Sequence, residues 1–194
     1  MLDNPDFDEA AKFVCSPALR DQEDCDALWA ALNSGLLNAV VSDHCGIDVA
    51  NLKQVGRNDF TQIPNGAPGA ADRMHVIWTE GVAKGRISRQ KFVEITATQP
   101  AKINGIYPRK AHIAVGCDAD LVILDPDYRG VIRLEDNPNG VDYNIYEGRE
   151  QLSRVETVLL RGRVVVQDAQ FVGEYGQGQF IPAKMYGSCY ENRN

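Results

Sequence analysis

The feature that most constrains the fold of this chain is a change of period. Up to about residue 110 the apolar residues recur at helical spacing. Beyond it they alternate, or run in short aliphatic stretches such as VLL (158–160) and VVV (164–166). A helix buries a stripe of period 3.6 and a strand a face of period 2, so one chain with both patterns builds two kinds of layer. We therefore expect two parts, residues 1–112 and 113–194, with the boundary near 112.

In the first part, residues 12–16 (KFVCS) read as a short buried strand ended by Pro17. Asp21 offers an N-cap to a helix from Gln22 to Ser34, with Cys25, Leu28, Trp29 and Leu32 on one face and Gly35 as its stop. Residues 38–42 read as a second strand. Strand, helix, strand, with both strands short and apolar, is the signature of a parallel sheet covered on both faces. Residues 46–70 form a loop rich in Gly, Pro, Asn and Asp, long enough to suggest function. Helices are expected over 71–86, stopped by Gly85, over 88–98, capped by Ser88 and ended by Pro100, and over 101–104. In the second part, strands are expected within 114–125, at 130–134 and at 155–160. A hairpin over 161–172 should turn at Asp168 and Ala169, and an extended Gly- and aromatic-rich arm should follow from 173.

Composition excludes several classes of function. A net charge of −7 with no basic run argues against a nucleic-acid partner. No apolar run approaches the roughly 20 residues of a membrane span, and the acidic N-terminus MLDNPDFDEA has no signal-peptide core. Five cysteines (15, 25, 45, 117 and 189), an odd number without CxxC, read as reduced thiols of a cytoplasmic protein, with Cys25 and Cys117 in the core.

Three short motifs carry candidate chemistry. In VVSDHCGIDV (40–49) an apolar run stops at Asp43, His44 and Cys45. A carboxylate at the C-terminal end of a barrel strand can bind a metal and move protons. On spacing alone Asp43 reads first as a turn or capping acid. His44 and Cys45, as adjacent residues, point apart and are poor co-ligands. In CSPALRD (15–21), Ser16 and Pro17 leave free main-chain groups at a strand end that could hold an amide, although a plain turn explains them as well. In IPNGAPG (63–69), two prolines and two glycines stiffen a turn in which Asn65 offers a donor and an acceptor. A structural Asn-Gly turn is the simpler account. His75 and His112 read as exposed or structural.

Taken in order, CSPALRD, VVSDHCGID, DFTQIPNGAPGAADR, TQPAKINGIYPRK, IAVGCDADLVILDP and VDYNIYEGRE resemble the dihydropyrimidinases and D-hydantoinases, cyclic-amide hydrolases of the amidohydrolase superfamily. IPNG and YNIYEG are the more specific of these motifs. The resemblance implies an α/β fold, a metal-dependent (β/α)8 barrel followed by β-sandwich strands, of which this chain matches the C-terminal part. It implies a binuclear zinc centre to which Asp43 contributes a ligand and acts as general base. It also implies that the main chains of Ser16 and Asn65 hold the ring, and that the enzyme is a homo-oligomer, a tetramer in the family. The substrates implied are 5,6-dihydropyrimidines or hydantoins, opened to N-carbamoyl amino acids.

The departures are as informative. The chain has no HxH, and His44, His75 and His112 match no family ligand position. One carboxylate cannot hold two zinc ions, since a catalytic site takes about three protein ligands per metal. We therefore expect the chain by itself to be inactive. The alternatives are a piece of a longer enzyme, or a non-catalytic interaction protein like the collapsin response mediators, which resemble this family but lack the aspartate.

Overall fold

Local chemistry sets the helix ends. The computed structural model describes residues 4–185. Helix α1 (Phe7–Ala11), unexpected from the sequence, is capped by the Asp6 carboxylate, which accepts from Asp8 N. Helix α2 (Gln22–Ser34) starts after Asp21 and stops at Gly35, whose φ of +82° is the left-handed geometry that glycine adopts without a Cβ penalty. Asp21 takes the extended N-cap backbone but makes no side-chain capping bond.

Helix α3 (Arg73–Ile77) widens into a π-turn (Trp78–Ala83), and Gly85 ends that segment at φ +73°. Ser88 Oγ accepts from Lys91 N at 3.0 Å and starts helix α4 (Arg89–Val93). A second π-turn (Glu94–Thr98) leads directly into helix α5 (Gln99–Ile103). Pro100 was expected to end the helix, and it does not. Its ring would strike the Thr96 carbonyl in a regular helix, and the π-turn loosens the backbone at that point.

These helices enclose one apolar cluster of Leu32, Trp78, Ile87, Phe92 and Ile95, with Trp78 and Phe92 edge-to-face at 5.2 Å. Truncating a ring in such a cluster costs about 3–5 kcal/mol. The expected inward face of α2 is only partly inward. Leu32 is buried and Trp29 packs on the cluster, but Leu28 is 55% exposed and Cys25 is exposed. The cluster touches α2 along one edge only, so the rest of the stripe has no cover among the described residues. Cys25 is therefore not a core thiol. Cys117 is half-buried, the four described cysteines are free, and Cys189 lies outside the described residues.

The segments 12–16 and 38–42, expected as barrel strands, are not strands of a ladder. A parallel strand needs neighbours whose N–H and C=O groups alternate with its own. Among the described residues the second segment instead binds to helices. Val40 N donates to Ile95 O at 3.1 Å, and Arg73 Nη1 donates to Val40 O at 2.7 Å. Val41 is 75% exposed, so this segment is not covered on both faces. The long loop also has structure of its own, with two 3-10 turns at Lys53–Gly56 and Phe60–Gln62.

Beyond residue 112 the β pattern appears largely as read. Strands β1 (Leu121–Asp125), β4 (Arg154–Leu160), β5 (Arg163–Gln167) and β6 (Gln170–Phe171) form an antiparallel sheet in the order β1-β4-β5-β6. The expected strand at 130–134 shrinks to β2 (Gly130–Val131), paired with β3 (Glu150–Gln151). Both hairpin turns, Arg161-Gly162 and Asp168-Ala169, have positive φ at each residue (+49°, +79°, +51° and +62°). This is what a two-residue turn matched to strand twist requires. The C-terminal arm runs without strand pairing through 185, and its remaining residues lie outside the described part. No described helix is long and apolar enough to cross a membrane.

Candidate functional site

Three stretches converge although none pairs as a long strand. Gly66 N donates to Val14 O at 3.0 Å, and Cys45 N donates to Ala67 O at 3.0 Å, next to a parallel bridge between His44 and Ala67. The segment 65–69 thus lies between the stretch ending in Ser16 and the stretch carrying Asp43. Ser16, Asp43 and Asn65 are all exposed. No hydrogen bond among the described residues joins any two of their side chains.

Asp43 sits at φ +46°, the left-handed region where Asp is enriched among non-glycine residues. Its neighbour His44 is turned to the 69–70 segment. The His44 Nδ1 accepts from Gly69 N at 3.2 Å and from Ala70 N at 3.4 Å. An Nδ1 that accepts has no lone pair left for a metal. Gly66 has φ +134°, and a Cβ there would lie 2.4 Å from Cys45 Cβ. Only glycine permits this turn to pass Cys45 at that distance.

The loop is held from behind by residues the sequence reading did not single out. Lys53 is wholly buried and donates from Nζ to Ala11 O at 2.7 Å, Val14 O at 3.1 Å and Gly66 O at 2.9 Å. Burial holds its pKa below the usual 10.5. The Asp142 carboxylate accepts from Val49 N at 2.9 Å and Ala50 N at 2.7 Å. Tyr143 is buried beside it, with its hydroxyl unpaired among the described residues and its pKa pushed up by burial. Asn144 and Asn137 both donate to the buried Asp72 carboxylate, at 2.9 and 2.7 Å. The motif DYN at 142–144 is therefore a clamp from the sheet half onto the loop and helices. Its distinctiveness in sequence was the one available signal. A lone lysine in a polar loop gives none.

The residues present do not make a complete metal centre. Among the described residues no three His, Cys, Asp or Glu side chains gather where they could hold an ion, and a catalytic zinc needs about three protein ligands.

Comparison with known proteins gives the family of the chain. Residues 6–165 match the amidohydrolase family, and the chain belongs to that family, whose members are in general metal-dependent. Within it, the chain is similar to the D-hydantoinase of Geobacillus stearothermophilus, with 46% identity over 193 residues, all of this chain and 41% of that protein. The D-hydantoinase of Ralstonia pickettii is 46% identical over 185 residues, covering 95% of this chain and 40% of its own length. The structure of D-hydantoinase from Bacillus sp. AR9 superposes with a TM-score of 0.92 at 48% identity, over 95% of this chain and 40% of that one. That of dihydropyrimidinase from Brevibacillus agri superposes with a TM-score of 0.86 at 49% identity, over 89% of this chain and 37% of that one. The chain thus spans about two fifths of the length of the relatives it matches. The expected fold class holds: α/β, part of a (β/α)8 barrel followed by β-sandwich strands.

Proposed function

We propose that this chain forms part of a hydrolase that opens the cyclic amide of 5,6-dihydropyrimidines or hydantoins to N-carbamoyl amino acids. The observation that carries the reading is the convergence of the stretches that bear the exposed residues Ser16, Asp43 and Asn65, in a chain 46% identical to a D-hydantoinase. In the reaction a water oxygen bonds to the ring carbonyl carbon, the bond from that carbon to the ring nitrogen breaks, and the nitrogen gains a proton. Asp43 accepts the proton of the attacking water and delivers it to the leaving nitrogen. The main chains of Ser16 and Asn65 hold the ring edge-on to Asp43, which is the positioning contribution. A binuclear zinc centre of the whole enzyme would draw Asp43 alone from the described part of this chain. The same reading divides the chain at 112, into a barrel part and a sandwich part, and puts the enzyme in the cytoplasm as a homo-oligomer.

Two measurements test it together. The chain alone should not hydrolyse dihydrouracil or hydantoin. Grafted in place of the matching 41% of the Geobacillus stearothermophilus D-hydantoinase, it should restore ring opening. A graft that folds and takes up zinc yet leaves both rings intact would overturn the proposal.

A further inference from the structure

The segments that carry Ser16 and Asn65 meet at one buried cation. Lys53 has 0% of its surface exposed, and no carboxylate pairs with it among the described residues. Burying an ammonium costs several kcal/mol even after relaxation, so an unpaired lysine here needs a reason. The reason is a match of number. The ammonium has three N–H donors, and three main-chain oxygens, of Ala11, Val14 and Gly66, lie within 3.1 Å of it. Gly66 is bound at both ends, because its own N–H donates to Val14 O. Val14 O belongs to the stretch that ends at Ser16, Ala11 O to the last residue of α1 just before it, and the third oxygen to the residue after Asn65.

We propose that Lys53 is a positioning residue, whose ammonium fixes the separation between the Ser16 stretch and the Asn65 loop and so sets the width of the ring-binding site. The ring-binding half of this statement rests on the function proposed above. The groups that act on the ammonium are the Tyr143 ring, whose centroid is 5.9 Å from Nζ, and the side chains of Cys15 and Cys45, while Asp142 and Asp48 act on Tyr143 in turn. A neutral, unbranched side chain one atom shorter, as in Lys53→Met, leaves three carbonyl oxygens without their donor. Arginine cannot replace the tripod, because its donors lie in a plane.

The test uses the full 194-residue chain, labelled with nitrogen-15. In Lys53→Met the amide protons of Gly66 and Cys45 should lose about tenfold or more of their exchange protection, while Phe92 N–H, bonded to Ser88 O in α4, keeps its own. A purely structural role predicts an even loss across all three. Hydantoin should shift the Ser16 and Asn65 amides of the wild-type chain, with about tenfold weaker binding in the variant. Should Lys53→Met not fold, the wild-type chain decides. As pH rises through the Lys53 titration, one of three N–H donors is lost, and protection at Gly66 should fall in step with the Nζ signal. Unchanged protection at Gly66 and Cys45, in the folded variant or across that titration, overturns the proposal. Failure of hydantoin to shift any amide of the wild-type chain refutes the ring-binding reading, and the exchange data then decide the role of Lys53 as spacer.

Discussion

At the scale of single residues, Asp43 and Gly66 show how differently two positions in the proposed site are constrained. Asp43 is exposed and its side chain makes no hydrogen bond among the described residues, so its cost of replacement should fall on chemistry. In the grafted enzyme, Asp43→Ala is expected to lower kcat by about 10²–10⁴-fold while shifting the unfolding temperature little. Turnover within about tenfold of the parent would refute its role as proton carrier. Asn65 is exposed, and its neighbour Gly66 has no room for a Cβ. If the main chain of Asn65 is the reader, Asn65→Ala should change KM by no more than a few-fold. Gly66→Val should be far worse, because a β-branched residue at φ +134° collides with Cys45. The reverse order of damage, measured as KM and melting temperature of both variants, would make the side-chain amide the reader.

Among the elements, the loop 46–70 is the one that most needs outside support. It has no sheet of its own, and three of its backbone groups are held by distant side chains, Gly66 O by Lys53 and Val49 N and Ala50 N by Asp142 of the DYN clamp. Asp142 accepts two main-chain N–H bonds, one from the buried Val49. Hydrogen bonds to a charged acceptor contribute about 1.5–3 kcal/mol each in net terms. Asp142→Ala should therefore lower the stability of the chain by about 2 kcal/mol or more in urea unfolding. Lys84→Ala, which breaks a half-exposed i,i+4 pair with Glu80, should stay within about 0.5 kcal/mol. Equal midpoints for the two variants would show that the clamp contributes nothing.

For the molecule as a whole, the junction of helices and sheet sets a pH dependence. His75 on α3 lies against Ser153 Oγ at 3.4 Å, and burial holds its pKa below 6.5. Between that lowered value and 6.5 the unfolded chain binds more protons, so stability falls as pH drops through this window. Asp72 acts in the opposite sense. Burial raises its carboxyl above 3.8, so between 3.8 and the raised value the folded chain binds more protons and stability falls as pH rises. Thermal unfolding measured from about pH 4 to about pH 8 should therefore show a limb below 6.5 that His75→Gln flattens. A limb unchanged by that substitution would assign it to other groups.

What the sequence determined by itself is local. Gly35, Ser88 and the turn Asp168-Ala169 were legible because each depends on the φ of one or two residues, or on a bond spanning three. The β-rich second half was legible because alternation is a property of neighbouring residues. The motifs named the three exposed candidates, but only their resemblance to a family gave them a role. Tertiary structure alone decided the rest. Residues 12–16 and 38–42 carry strand patterns, yet a ladder exists only where another segment supplies the complementary row of donors and acceptors. Cys25 and Leu28 recur at the right spacing, yet a stripe is buried only where something lies over it. Lys53 is a polar loop residue by every local measure. It becomes the buried junction of three segments because three carbonyl oxygens, two of them some forty residues away in the chain, arrive within reach of one ammonium.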